Sequence, residues 1–364
     1  MTHDWGIKQW MNIASEPSFA RVVEVLDDRP WSRQEYIELP SGERRVRKTA
    51  AVPGPWGVNA VRAEAQYLLG LRPGATEYFP ALRAAWGLDP HAAEAGYERD
   101  AGAGWKSAAR LVAEEAFLQA QADSLQGELA ETLRTRLQQP ETPRGSLALH
   151  IDEALRRALR HMERDPATAL LAHPTEMLLN GHVIDMPWRA LLKLIARGEP
   201  ARMLAGLPHV LLHGNLLLEH ILWREDPPPG RLRLLLTDPV SEAGIAHGPA
   251  LFDGARYEWS ASGERHALAH GLAEARQEPV TGEGLPHFHF RVRWEAPALR
   301  PFRLVDLRRI MRGALASQNE AAPAMHALLE AYFILTEYLA APAEHRLAYA
   351  LRAAQSLHEA ARRP

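Results

Sequence analysis

Between residues 19 and 51 apolar and polar positions alternate with a period near two. FARVVEVL (19–26) is rich in β-branched residues, RQEYIEL (33–39) follows, and Pro40-Ser41-Gly42 turns the chain into ERRVRKTA (43–50). The pattern predicts three strands, the last two as a hairpin. VPGPWG (52–57) breaks it. In NAVRAEAQYLLGL (59–71) Val61, Ala65, Leu68 and Leu69 recur on one helical face, and Pro73-Gly74 ends the element. PALRAAWGL (80–88) and AGYERD (95–100) predict two more strands, followed by the Gly-rich AGAG (101–104).

From Lys106 the period lengthens. Residues 106–139 read as one long helical stretch and PETPRGS (140–146) as a loop. Helix is predicted again at 147–164 and at about 187–197. The segment PHVLLHGNLLLEHILW (208–223) then leads into an apolar strand, the turn DPPPG (226–230) and a second strand, RLRLLLTD (231–238). Residues 249–275 are expected to be helical, LPHFHFRVRW (285–294) alternates strictly and predicts a strand, and 303–361 is helical. A small β-rich part with one helix thus precedes a large helical part, an α+β chain.

Composition narrows the function classes. The 364 residues suffice for two lobes with a large core, and 46% hydrophobic with 24% charged residues is an ordinary globular profile. A net charge of −3 argues against nucleic acid or an anionic membrane surface as partner. The absence of cysteine excludes disulfides, a thiolate nucleophile and Cys-based zinc sites. MTHDWGIKQWMNIASEP lacks the basic-then-apolar order of a signal peptide, and no 18-residue apolar run is present, so a cytoplasmic protein without membrane contact is expected. Of 42 basic residues only Lys8, Lys48, Lys106 and Lys193 are lysine. Where arginine is the default cation, each lysine stands out.

His213-Gly214-Asn215 opens the apolar run that ends in Trp223, and Thr237-Asp238-Pro239 closes the next strand. Two adjacent strands would bring Asn215, His220 and Asp238 near one another. An acid at a strand end beside polar groups can hold Mg2+ together with phosphate and water; a plain hairpin with polar ends has the same pattern.

The run HGNLLLEH, then ILW, LLLTDP and GPALFDGARYEW, resembles the aminoglycoside phosphotransferase and choline kinase-like family. The family pattern is H-G-D-x-x-x-x-N, two strands, I-D and G-x-P-x-x-D-L-A. The resemblance implies a bilobal protein-kinase-like fold with a small β-rich N-lobe and a large, mainly helical C-lobe. An N-terminal extension would span 1–18, the N-lobe 19–97, the hinge 98–105 and the C-lobe 106–364, with the catalytic-loop region at 208–253. ATP with Mg2+, or Mn2+, would lie in the cleft between lobes. His213 matches the structural histidine, Asp238 the metal-binding acid, and Gly248, Pro249 and Asp253 the downstream run whose acid braces the catalytic loop. ERRVRKTA and AVRAEAQYLLGL resemble the strand and helix that carry a phosphate-binding lysine and its glutamate, here Lys48 and Glu64. A compact ammonium suits approach to two phosphates better than a bulkier guanidinium. Tyr97, Glu98 and Arg99 would offer backbone groups to an adenine edge.

Three departures qualify the resemblance. The segment LDDRPWSRQEY (26–36) has no glycine; Asp27 and Asp28 would repel phosphate, whereas Arg29, Ser32 and Arg33 would attract it. Asn215 stands where the family has its catalytic Asp. An amide can orient a hydroxyl but cannot take up its proton, a loss of about 3–5 kcal/mol of barrier lowering. His220 replaces an Asn that helps hold metal; an imidazole suits Zn or Mn better than Mg, and it could equally bind phosphate, pair with Glu219 or Asp238, or simply pack. Glu219 beside it could be a substitute ligand, but in a strand its side chain points to the opposite face. Three readings follow. The first is a nucleotide-binding, pseudokinase-like protein acting on a partner. The second is an active phosphotransferase acting on a hydroxyl of a small molecule or peptide. The third is a scaffold without nucleotide.

Two further patterns bear on partners. In 287–294, Phe288, Phe290, Val292 and Trp294 share one face while His287, His289, Arg291 and Arg293 share the other. That is a half-buried strand with a solvated basic face, a cationic strip, or an edge strand open to β-augmentation. His266 and His270 have the i, i+4 spacing of metal ligands but lack the H-E-x-x-H context, so two surface histidines are expected.

Overall fold

The computed structural model describes residues 13–54, 57–101, 104–115, 117–138, 147–186, 207–227, 232–240, 245–279, 284–314 and 322–362. The helix expected at 187–197, the loop at 140–146, most of the turn at 226–230, and part of AGAG and of the N-terminal extension lie outside the described residues. The chain is mixed α+β, with a β-rich N-terminal sheet and a helical C-terminal part. It divides into two compact units: 1–111 with 131–139 and 211–246, and 112–130 with 140–210 and 247–364.

The first unit is built on an antiparallel sheet of β1 (Arg21–Asp28), β2 (Arg33–Glu38), β3 (Arg44–Ala50), β4 (Leu82–Trp86) and β5 (Ala95–Asp100). Its spatial order is β1-β2-β3-β5-β4. β2 and β3 form the hairpin that Pro40-Ser41-Gly42 predicts, and its register sets Lys48 opposite Gln34. Helix α1 (Val58–Gly70) packs on β5, β3 and β4. The apolar face read from the sequence is the buried one: Val61, Ala65, Leu68 and Leu69 are all inside. Glu64 is also buried on this helix, and only a partner on the sheet makes that placement tolerable. A second small sheet joins Lys106–Ser107 to Ile221–Trp223, and Ile221–Trp223 to Leu234–Leu236. It carries the segment that includes His213, Asn215, His220 and Asp238.

In the second unit, helix Ala322–Ala340 packs against Arg346–Arg362, Leu147–Met162 and Leu251–Ala261. A four-stranded sheet runs in the order Ala273–Glu278, His287–Val292, Glu176–Leu179, His182–Asp185. Among the described residues no helix is long and apolar enough to cross a membrane.

Three expectations need correction. The stretch 106–139 is not one helix: Lys106–Ser107 is a strand, helices follow at Ala108–Ala113 and Gln119–Thr132, and Leu133–Leu137 is a π turn. Residues 249–275 are not one helix either. Gly271, at φ +64°, ends the second of two short helices, and Ala273–Glu278 turns into a strand because His287–Val292 offers it a full ladder. Composition could not reveal that partner. Finally, His287–Val292 is not a free edge: it pairs along its length with Ala273–Glu278 and, at His287 and Phe288, with Glu176–Leu179 on the other side. Phe288, Phe290 and Val292 face inward, while Arg291 on the other face is ion-paired to Glu274 (3.6 Å) and Glu295 (3.2 Å).

Candidate active site

β3 and β5 pair so that Lys48 lies opposite Tyr97 and Val46 opposite Arg99. Directly opposite residues share a sheet face, and side chains two apart on a strand share it too. Lys48, Tyr97 and Arg99 therefore point one way, and Arg45, Arg47 and Glu98 the other.

On the Lys48 face, Lys48 Nζ is 2.8 Å from both carboxylate oxygens of Glu64 and 3.2 Å from Asp238 Oδ1. The Tyr97 hydroxyl lies 3.0 Å from Glu64 Oε2 and 3.4 Å from Asp238 Oδ1. Arg99 Nη2 faces Asp238 Oδ2 at 4.0 Å. Two cations and two carboxylates thus interlock, each side chain no more than 15% exposed. Burial alone would drive the Lys48 ammonium to lose its proton; the charges of Glu64 and Asp238 outweigh that and raise its pKa. Burial would likewise raise Asp238, but Lys48 and Arg99 hold it well below the usual carboxylate range. Glu64 is raised, by burial first and by the nearby Asp238 charge.

The loop from His213 to His220 is tied to the Asp238 segment. His213 is fully buried. Its Nδ1 accepts the Asn215 N–H at 3.3 Å, so its Nε2–H donates to the Thr237 carbonyl at 3.1 Å. Burial, then the neighbouring His220, pushes its pKa down to about 3, which keeps the ring in that neutral tautomer. Asn215 donates through Nδ2 to the Asp238 carbonyl at 3.3 Å. His220 donates from Nδ1 to the Asn215 carbonyl at 2.8 Å and is held neutral by burial. Val240 N–H reaches the His213 carbonyl at 2.6 Å. Asp238 and Val240 sit at φ +49° and +66°, a region unfavourable to any side chain and most of all to a β-branched one. These hydrogen bonds hold the segment in that conformation. Gly214, at φ +77°, completes the loop: a Cβ there would lie 2.3 Å from the Ile245 carbonyl oxygen.

Some placements differ from the expected roles. Tyr97, Glu98 and Arg99 lie inside β5 with partners on both sides, β3 and β4, so their backbone groups belong to the sheet ladder and are not presented to an adenine edge. Tyr97 and Arg99 instead contribute side chains to the cluster. Glu98 is fully buried on the opposite face, accepting from Ser18 N–H (2.8 Å), Arg47 Nη2 (2.8 Å) and Arg45 Nη1 (3.2 Å). Leu218–His220 is a 3-10 turn rather than strand, so the alternation expected to turn Glu219 away does not apply. In the β1–β2 connection, Arg29 pairs with Asp27 (2.8 Å) and Arg33 with Glu35 (2.6 Å). Asp253 belongs to the second unit, fully buried in the first turn of helix Leu251–Ala261. His266 and His270 stack ring on ring at 4.0 Å. A cavity of about 350 Å³ elsewhere in the first unit, lined by Leu68, Leu71, Phe79 and Leu82, shares no residue with the cluster, although Phe79 stacks on His213 at 6.0 Å.

The divalent metal that the resemblance implies would need oxygen ligands beside the phosphates. Among the described residues no three His, Asp or Glu side chains converge as ligands. The Asp238 carboxylate already faces Lys48 on Oδ1 and Arg99 on Oδ2. His220 would offer only Nε2, a nitrogen donor that Mg2+ does not favour. Among the described residues the side chains thus supply Asp238 as a ligand but do not by themselves complete a divalent-metal site.

No family model matches the sequence, and no curated protein matches it. Among solved structures the chain is similar, over 98% of its length and 98% of the other chain, to a candidate fructosamine-3-kinase from Thermobifida fusca, at 16% identity and a TM-score of 0.47. It is similar to a choline kinase from Cryptosporidium parvum over 97% of its length and 93% of that chain, at 11% identity and TM-score 0.43. A macrolide 2'-phosphotransferase from Brachybacterium faecium matches over 90% of each chain at 14% identity and TM-score 0.41. These neighbours are, by name, kinases and phosphotransferases. At TM-scores below 0.5 the likeness carries no inference about activity, which rests on the geometry above.

Proposed function

We propose that the chain is a phosphotransferase-like protein whose first unit binds a nucleotide by its phosphates and in which phosphoryl transfer is impaired. The supporting observation is the ammonium of Lys48, a scarce lysine, clamped by both oxygens of Glu64 and set beside Asp238. A lysine fixed in this way presents a point charge in a defined place, which is the positioning that phosphoryl groups require. In this reading Lys48 meets the phosphates and Glu64 positions Lys48. Asp238 faces the cations, and Asn215 occupies the place of the base. Asn215 is built into the loop as a donor to the Asp238 carbonyl, and an amide takes up no proton from an attacking hydroxyl. No step is assigned to a metal. The acceptor, a small-molecule or peptide hydroxyl or a partner protein, is not specified by these residues.

A thermal-unfolding series tests the reading: ATP, ADP or no nucleotide, each with EDTA, Mg2+ or Mn2+, on wild type and Lys48→Met. A ligand at 100 times its Kd adds about 2.7 kcal/mol, so a nucleotide-dependent rise that Lys48→Met loses is expected. No rise under any condition would leave the fold as a scaffold. Asn215→Asp then reports on chemistry through ADP release. A gain marks a dormant site, as proposed; a loss marks the amide as a working part of a remodelled enzyme.

A further inference from the structure

Arg99 is the cation of the cluster to which that reading gives no role. Its residue is 7% exposed, and its buried Nε–H has no hydrogen-bond acceptor. The carboxylate it faces is 4.0 Å from Nη2, too long for a hydrogen bond. A buried guanidinium with an unmet donor is costly, and such a group in a native fold calls for an explanation. Its planar fork matches two oxygens of a phosphate, which a lysine cannot do. Lys48, on the same sheet face, contacts Asp238 through the other oxygen. The two cations therefore flank Asp238 and supply the positive charge that a divalent ion would otherwise bring to it. An incoming Mg2+ would have to displace Lys48 from the carboxylate and approach against the repulsion of both cations.

We infer that Lys48 and Arg99 form a two-cation anion site that takes the phosphate chain of a nucleoside di- or triphosphate free of divalent metal, with the Arg99 fork holding two phosphate oxygens. This rests on the nucleotide reading above. No bond is made or broken: the ligand's oxygens accept the Nε–H that the protein alone leaves unmet, and the neighbouring Nη–H. Free Mg2+ competes, because it chelates the same oxygens and is repelled by the two cations.

Calorimetric titration of ADP and ATP into the full chain tests this, in EDTA and in excess MgCl2, for wild type, Arg99→Met and Arg99→Lys. Unfolding without ligand first establishes that each variant is folded. The expected result is wild-type binding in EDTA that weakens several-fold in MgCl2. Arg99→Met should bind at least tenfold more weakly in EDTA, and Arg99→Lys should fall between the two. If Arg99→Met fails to fold, the wild-type comparison and Arg99→Lys still decide. Wild-type binding that requires Mg2+, or variants with undiminished affinity in EDTA, would overturn the inference and leave the nucleotide reading standing. Absence of binding in both buffers would remove both.

Discussion

Replacing Lys48 with methionine keeps the length of the side chain and deletes its charge. Lys48 meets Glu64 at 2.8 Å and Asp238 at 3.2 Å, with side-chain exposures of 15%, 8% and 13%. The variant would leave Glu64 with the Tyr97 hydroxyl and Asp238 with Arg99 at 4.0 Å. Removing one partner of a buried pair costs about 3–5 kcal/mol, against about 1 kcal/mol or less for an exposed pair. For a unit of this size that corresponds to a fall in melting temperature of roughly 10 °C. The loss should depend on pH. Burial already raises the Glu64 carboxyl, and without Lys48 it rises further. Above that raised pKa the folded variant must carry the bare charge. Below it Glu64 takes up a proton and the penalty relaxes, so the gap from wild type should be widest above the raised pKa and narrow as pH falls through it. Urea unfolding followed by far-UV circular dichroism at several pH values measures the gap directly. A loss below about 1 kcal/mol that does not change with pH would show that the contact is solvated, and the account of a buried charge cluster would fail.

Two further outcomes follow from the same geometry. Gly214→Ala should lose more than about 2 kcal/mol of stability, since the new Cβ would meet the Ile245 carbonyl oxygen at 2.3 Å on a left-handed backbone; thermal unfolding checks it. The depressed pKa of Asp238 places its contribution fully above the ordinary carboxylate range and removes it as pH falls through the acid range. Wild-type stability should therefore rise between pH 2 and 5 with a slope that Asp238→Asn reduces.

Much of this site was legible because it depends on local patterns. The alternation in ERRVRKTA and the helical face of NAVRAEAQYLLGL put Lys48 on a strand and Glu64 on the next helix, and the ion pair needs little more. The same alternation, applied to AGYERD, separates Glu98 from Tyr97 and Arg99; reading the three together as backbone contributors overlooked the strand's period and its central place in the sheet. The role of Asn215 as a donor to the Asp238 carbonyl could not be read from sequence, because it depends on the left-handed turn at Asp238. Nor could the breaks in 106–139 and 249–275. There the strands exist only because distant partners, Ile221–Trp223 and His287–Val292, pair with them.

The formal charges of Lys48, Arg99, Glu64 and Asp238 sum to zero within a few ångströms. Such a quadruplet casts little field beyond itself, so it does not draw a polyanion in from solution. On the proposed nucleotide reading, encounter should then be unsteered and only weakly dependent on ionic strength, with discrimination among phosphorylated ligands residing in how slowly each one leaves.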